Sequence, residues 1–210
     1  MNKQSINIAV FGAKGRVGSK VAEIAQQRGH TVIPIDIKEE ENKINKVDVV
    51  IDFSTATATH DVCDFCKQHH CALVSGVTGR NDKQEELIEQ LAQELPVVCK
   101  SNFSVGVEML HRICEIVAKE LHDWDCEIVE IHRKGKLDAP SGTAKSLAAT
   151  VAKQHSFKPV TTHALRLGSN FGRHEVVFAT NGESLTFTHQ AENVEIFALG
   201  AVLEAEKLIQ

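Results

Sequence analysis

The chain lacks the features that would take it into a membrane, onto nucleic acid or out of the cell. Its apolar runs are short. Ile8–Phe11 is one of the longest, whereas crossing a bilayer takes about 20 apolar residues in a row. It has no basic excess: 23 Lys and Arg stand against 28 Asp and Glu, a net charge of −5. That balance counts against nucleic acid as a partner, because phosphates recruit net positive surface. There is no repeat and no low-complexity tract. A strand-like run begins by Ile6, which leaves no room for a secretory leader, so the cytoplasm is the expected location. The six cysteines then read as reduced thiols. Otherwise the composition is that of an ordinary globular protein. It is 42% hydrophobic and 24% charged over 210 residues, enough for one large domain or two small ones.

Ile6–Phe11 is apolar, rich in β-branched residues, and reads as a buried strand. It runs into Gly12-Ala-Lys-Gly-Arg-Val-Gly18. Val17, Val21, Ile24 and Ala25 then recur at helical spacing, with Gly29 as a stop. Strand, glycine turn and helix together are the context of a dinucleotide cradle. The glycines permit the tight turn and let backbone N–H groups approach a pyrophosphate at a helix N-terminus. The spacing here is G-x-x-G-x-x-G, with Lys14 in the usual place of the second glycine. Thr31–Asp36 is the next strand, and Pro34 marks it as an edge or irregular one. Asp36 stands about where a ribose-binding carboxylate belongs. It would accept from the ribose hydroxyls and repel a 2′-phosphate, which favours NADH over NADPH; Lys38 argues the other way. A strand-end Asp facing water is the plain alternative.

Three more strands are expected at Val47–Phe53, Cys71–Ser75 and Leu95–Cys99, with helices near 57–68 and 81–93. Such alternation predicts a parallel sheet with helices on both faces. Ser54, Gly76, Thr78, Ser101 and Asn102 follow strand C-termini, where these sheets bind ligands. Cys63-x-x-Cys66, with His69, His70 and Cys71, has metal-like spacing. Val62, Phe65 and Cys66 share one helical face, however, so a packed helix is the reading and no metal is expected.

Ser104–Leu121 has helical periodicity with Ser104 as N-cap. Trp124–His132 alternates like a strand, and Ser141–Lys153 is a helix. Runs near 161–167, 174–180 and 184–190 are strands, with Asn181-Gly182 a hairpin turn. Val194–Leu208 is a mostly apolar helix. The fold class expected is α/β. It comprises a Rossmann-like parallel sheet with helices on both faces, plus a smaller C-terminal α+β domain with a mixed open sheet. Residues 1–103 form the dinucleotide-binding domain, to which helix 193–210 returns. Residues 104–192 form a substrate-binding and oligomerisation domain. An open sheet with few covering helices exposes an apolar face, through which a homo-oligomer is expected.

The chemistry concentrates in Glu130–Ala144. His132 ends a strand, and an ordinary histidine pKa of about 6.5 suits proton transfer at neutral pH. Lys136 lies beyond Gly135 and can stabilise developing negative charge. Arg133 and Lys134 add positive charge. Ser141-Gly-Thr143 opens a helix after Pro140, so its N–H groups and hydroxyls can hold a carboxylate. Together these describe a pocket for a small polyanion beside a general acid. A solvated basic loop with an N-cap serine is the alternative. His163, His174 and His189 fall on the predicted sheet and read as packed or solvent-facing. His30, His60, His111, His122 and His155 have no comparable company.

Glu130-x-His-x-x-x-Lys-x-Asp-Ala-Pro-Ser-Gly-Thr-Ala144 resembles the signature of the dihydrodipicolinate reductase family, which works in bacterial lysine and diaminopimelate synthesis. Gly12-x-x-Gly-Arg-Val-Gly18, Ile51-Asp-Phe-Ser54, Gly76-Val-Thr-Gly79 and Ser101–Val107 resemble its cofactor segments, in the family's order. Arg166-Leu-Gly and Gly172–Val176 resemble its substrate-domain strands. The resemblance implies an NAD(P)H-dependent reductase that passes a hydride to the cyclic imine of a pyridine-dicarboxylate. It makes His132 the catalytic acid/base and Lys136 a second proton donor. Gly142 and Thr143, with Ser141 beside them, would hold a substrate carboxylate. Gly12, Ala13, Lys14, Gly15, Arg16 and Val17 would cradle the pyrophosphate, and Asp36 the ribose. Gly76, Val77 and Thr78, with Ser101, Asn102, Phe103 and Ser104, would line the nicotinamide side. A cytoplasmic homotetramer is implied, formed through the C-terminal sheet. One residue departs from the pattern: Arg133 stands where the family has a second, substrate-contacting histidine, and it takes that role here by binding a carboxylate. The chain is also short for the family. Two other readings stay open, a different NAD(P)-dependent dehydrogenase of small amino or keto acids and a non-catalytic dinucleotide sensor. A sensor would need no acid–base pair in its second domain.

Overall fold

A computed structural model describes residues 5–35, 46–154 and 159–209. In chain order the first elements are β1 (Asn7–Phe11), α1 (Gly18–Gln27), β2 (Thr31–Ile35), β3 (Val49–Asp52), α2 (Thr59–His69), β4 (Ala72–Ser75), α3 (Asp82–Glu94) and β5 (Val97–Cys99). After them come α4 (Val105–Glu120), β6 (Asp125–His132), α5 (Gly142–Ala152), β7 (Thr161–Arg166), β8 (Arg173–Thr180), β9 (Glu183–Gln190) and α6 (Glu195–Ile209). Two compact units result. One is Met1–Phe103 with Val194–Gln210, and the other is Ser104–Asn193.

In the first unit five parallel strands lie in the order β2-β1-β3-β4-β5. The inner strands are buried on both sides, which is why they read as unbroken apolar runs. Their alternation sorts side chains into two cores. Ile8, Val10, Ile51 and Val74 pack with Val21 and Ala25 of α1 and with Ala198, Ala201, Val202 and Ala205 of α6. Ala9, Val50 and Leu73 pack with Val62, Phe65 and Cys66 of α2 and with Ile88 and Leu91 of α3. Pro34 lies in β2, an edge strand, where the N–H it lacks is not missed. The Cys63-x-x-Cys66 pair belongs to the packed face of α2; both thiols are free, and burial pushes Cys63 up to about 11. His30 corrects the expectation that it stands alone. It is buried, its Nε2 meets Glu206 Oε1 at 2.9 Å, and that carboxylate also takes two hydrogen bonds from Arg28 at 2.7 and 2.8 Å. The set ties the end of α1 to α6.

The second unit is a mixed sheet, β7-β6-β8-β9, with β6 and β7 parallel and the other pairs antiparallel. Helices α4 and α5 cover one face. Leu110, Cys114 and Ala118 meet Leu147 and Val151 over Cys126, Ile128, Val176 and Phe178. The other face mixes apolar and charged side chains. Val129, Ile131 and Val177 are half-buried there, but Glu127, Arg173 and Glu175 alternate among them. His163 pairs with Glu127 at 2.8 Å, and Arg173 pairs with Glu175. A sheet face that meets water carries polar residues at alternate positions.

Candidate active site

The inner face of the second sheet changes character along its strands. Cys126, Ile128, Val176 and Phe178 are apolar, and then Glu130, His132 and His174 follow on the same face, all buried. Register explains the grouping. Glu130 pairs with His174, His174 with His189, and His132 with Arg166. Four strands thus set an acid, three histidines and an arginine side by side.

Glu130 is fully buried and gathers three donors. Its Oε2 meets His132 Nδ1, while the Ser141 N–H and Arg166 Nη2 donate to Oε1 at 3.2 and 2.8 Å. The same guanidinium reaches the carbonyls of Lys136, Leu165 and Asp138. It therefore pins the loop that follows β6. The Ser141 hydroxyl caps α5, accepting from Ala144 N at 3.2 Å, and lies 3.4 Å from His174 Nε2. Ser104 caps α4 in the same way, accepting from Val107 N at 3.3 Å, and meets His189 Nε2 at 3.1 Å. The His132 and His174 rings meet edge-on, with centroids 5.3 Å apart. Gly172, at φ +143°, lets the chain pass close by: a Cβ there would lie 3.0 Å from His132 Nε2. Lys136 Nζ pairs with Asp138 at 2.7 Å.

Burial lowers the proton affinity of His132, and the charges of Lys136 and Arg166 lower it further; Glu130 opposes both. Burial pushes His174 down to about 3, helped by His132, His189 and Lys136. His189 is lowered by burial alone. Among the described residues, Glu130, His132 and His174 bring ligand-type atoms within 4.8 Å of one another. Arg166 and His132 already hold that carboxylate, and His174 bonds Ser141 instead.

Of the residues singled out from the sequence, the structure brings His132 and Ser141 together around Glu130. Lys136 stands near enough for its charge to act on His132. Gly142 opens α5, and Thr143 is buried in its first turn. Arg133 is exposed, and its guanidinium folds back over Gly135. Ser104 falls in the second unit. Asp36 and Lys38 lie outside the described residues.

In the first unit, Gly12 sits at φ +75°, where a Cβ would meet Phe53 O at 2.7 Å. The loop closes through Gly15 N–H to Gly12 O at 2.8 Å. Val17, the N-cap of α1, supplies no side-chain hydrogen bond to the helix, unlike Asn81, Ser104 and Ser141 on α3, α4 and α5. A close-set backbone turn before a helix without a side-chain cap suits an incoming phosphate. Beside it is a cavity of about 520 Å³ lined by Ala13, Lys14, Ser19, Ala22 and Pro34, among others. These features fit a dinucleotide.

Further along, Ser54 donates through both N–H and hydroxyl to Asp52 Oδ1, and Ser75 Oγ donates to Oδ2 at 2.9 Å. Arg80 reaches Ser75 Oγ, Val77 O and Thr59 Oγ1 at 2.6, 3.0 and 3.1 Å. Ser54 and Gly76–Thr78 are therefore held by a buried frame. Phe103 is buried and meets Phe53 edge-on at 5.9 Å; Ser101 is exposed and Asn102 half-buried. Sequence reasoning missed Asp52 and Arg80, read His174 and His189 only as packed or solvent-facing, and gave Glu130 and Arg166 no role. Glu130, Asp52, Arg166 and His174 lie inside the family-like motifs, which was the signal available.

A nucleotide-type parallel sheet, joined to a unit bearing a buried acid–histidine pair, defines a two-domain oxidoreductase. Family models described as dihydrodipicolinate reductase, N-terminus, and dihydrodipicolinate reductase, C-terminus, match residues 6–103 and 106–210. The chain belongs to the dihydrodipicolinate reductase family. The 4-hydroxy-tetrahydrodipicolinate reductase of Thermosipho africanus is 37% identical over 97% of this chain and 91% of its own length. That of Nitratiruptor sp. is 33% identical, over 97% and 94%. A dipicolinate-bound dihydrodipicolinate reductase from Paenisporosarcina sp. TG-14 superposes with a TM-score of 0.77 at 21% identity, covering 98% of this chain and 95% of that one, a likeness of fold.

Proposed function

We propose that the chain catalyses the NAD(P)H-dependent reduction of 4-hydroxy-tetrahydrodipicolinate to tetrahydrodipicolinate, a step of lysine and diaminopimelate synthesis. Family membership supports the reaction. The observation that carries the residue roles is the buried His132 held on Glu130, beside the start of α5. The nucleotide, when bound, supplies a hydride. Gly12, Ala13, Lys14, Gly15, Arg16 and Val17 hold its pyrophosphate, and the Asp52–Arg80 frame shapes Ser54 and Gly76–Thr78. Phe103, with Ser101 and Asn102, lines the nicotinamide side.

The first turn of α5, at Ser141, Gly142 and Thr143, offers N–H groups to one substrate carboxylate. Arg133 takes a second by swinging from Gly135. Lys136 balances the negative charge that develops on the ring and donates a proton. His132 accepts and returns a proton at Nε2, while Glu130 balances the charge on the imidazole. Asp36, which follows β2 in sequence, favours NADH over NADPH. The enzyme works in the cytoplasm. It assembles as a homotetramer through the outer face of the second sheet, where Val129, Ile131 and Val177 are half-buried.

The test is a coupled assay in which the condensing synthase supplies substrate and the loss of nicotinamide absorbance is followed with NADH and with NADPH. Turnover with a higher kcat/KM for NADH is expected. Tight NADH binding without turnover would favour a sensor. A strong NADPH preference would remove Asp36 from cofactor choice.

A further inference from the structure

We propose that Glu130 and Arg166 are positioning residues that fix which ring nitrogen of His132 carries the proton and tie that choice to the Lys136 loop. The proposal rests on the reading of His132 as the proton-transfer residue. Glu130 is fully buried and makes its hydrogen bonds to protein. It accepts from His132 Nδ1 on one oxygen and from the Ser141 N–H and Arg166 on the other. A carboxylate has no proton to give, so Nδ1 must donate. The neutral ring then keeps its lone pair on Nε2, the nitrogen beside Gly172, where the missing side chain leaves it uncovered. Arg166 holds the other end of the arrangement. Its Nη2 is on Glu130, its Nε is 3.3 Å from Lys136 O, and Nη2 also meets Asp138 O. One guanidinium thus sets the carboxylate that orients His132 and the backbone that carries Lys136.

The charged and titratable groups facing His132 come from four directions. Glu130 is on its own strand, and Arg166 comes from β7. Lys136, with Asp138, comes from the loop. His174 comes from β8, with His189 beyond it on β9. Arg166 and Lys136 oppose a proton on the ring and Glu130 favours it. The two positioning residues should therefore move the ring in opposite directions. In Glu130→Gln, an amide cannot accept from all three donors, because its NH₂ must face either His132 or the Ser141–Arg166 pair. The tautomer then changes or the loop loosens. In Arg166→Gln the carboxylate stays while a nearby positive charge goes.

The experiment is an imidazole ¹⁵N NMR titration of His132 in the full-length wild type and both variants, alongside kcat against pH. In the wild type, the neutral ring should carry its proton on Nδ1. Glu130→Gln should lower kcat by about 100-fold, the scale of a lost acid–base contribution, and move both the ring titration and the matching kcat limb to lower pH. Arg166→Gln should also lower kcat but move the titration to higher pH. A wild-type ring protonated on Nε2, or a Glu130→Gln variant with unchanged kcat and pH limb, would overturn the proposal. So would shifts of the same sign in the two variants. If Glu130→Gln does not fold, Arg166→Gln and the wild-type tautomer still decide it. A wild type without reductase turnover would sink the function proposed above, while the tautomer and the titrations would still test the positioning.

Discussion

Asp52 and Glu130 are both buried carboxylates near the C-terminal end of a strand, Asp52 in the first unit and Glu130 in the second, and each has an arginine beside it. Asp52 is surrounded by two serine hydroxyls, a backbone N–H and Arg80, none of which changes charge near neutral pH. It works as a strut that gives two strand-end loops one shape. Glu130 has a similar set, except that one donor is an imidazole. That single exchange turns a strut into a means of controlling a proton. The comparison teaches that burial and an arginine partner do not by themselves mark a carboxylate that governs a proton. What marks it is whether one of its partners can titrate.

The largest effect expected is on stability. Asp52→Ala strands Arg80, whose side chain is 2% exposed, and breaking a buried pair in this way costs about 3 kcal/mol or more. Urea unfolding measures it; a loss below about 1 kcal/mol would mean Asp52 is no strut. Next is His132→Ala, expected to lower kcat by at least about 100-fold, roughly 2.7 kcal/mol. Near-wild-type turnover would take the proton chemistry away from Glu130's side of the comparison.

A smaller effect concerns pH. His174 is pushed down to about 3 on folding, so between that value and its unfolded pKa of about 6.5 the unfolded chain binds the extra proton. Its contribution to stability is thus complete above about 6.5 and is lost as pH falls toward 3, amounting to about 2 kcal/mol by pH 5. His174→Gln should flatten that part of the stability–pH curve; an equally steep curve would place the acid sensitivity elsewhere. Smallest is Arg133→His, which changes an exposed residue outside the Glu130 set. Its substrate KM should move by about fivefold or less, with kcat retained; a large fall in kcat would give Arg133 a part in the reaction beyond holding a carboxylate.

Much of the fold was legible because the signals were local. The double-sided burial of β1, β3 and β4 wrote unbroken apolar runs. Ser104, Asn81 and Ser141 stand at helix starts for the same local reason, and Pro34 announced an edge. His132, Lys136 and Ser141 were visible as a single motif. The pairings were not. Glu130 meets Arg166 through strand register, and Asp52 meets Arg80 through the order of β3 and β4 and the loop after β4, none of which leaves a mark on either residue's neighbours in sequence. His174 looked like one more sheet histidine because nothing local shows that β8 runs antiparallel beside β6.

Helix α6 has a consequence for biogenesis. Its Ala198, Ala201, Val202 and Ala205 complete a core begun by Ile8, Val10, Ile51 and Val74, yet the whole second unit lies between them in the chain. Synthesis proceeds from the N-terminus, so the second unit can close on the ribosome while the first still waits for its covering helix. Until α6 emerges, one face of the five-stranded sheet is greasy and uncovered. That interval, rather than any weakness of the finished molecule, is when the chain most needs a chaperone.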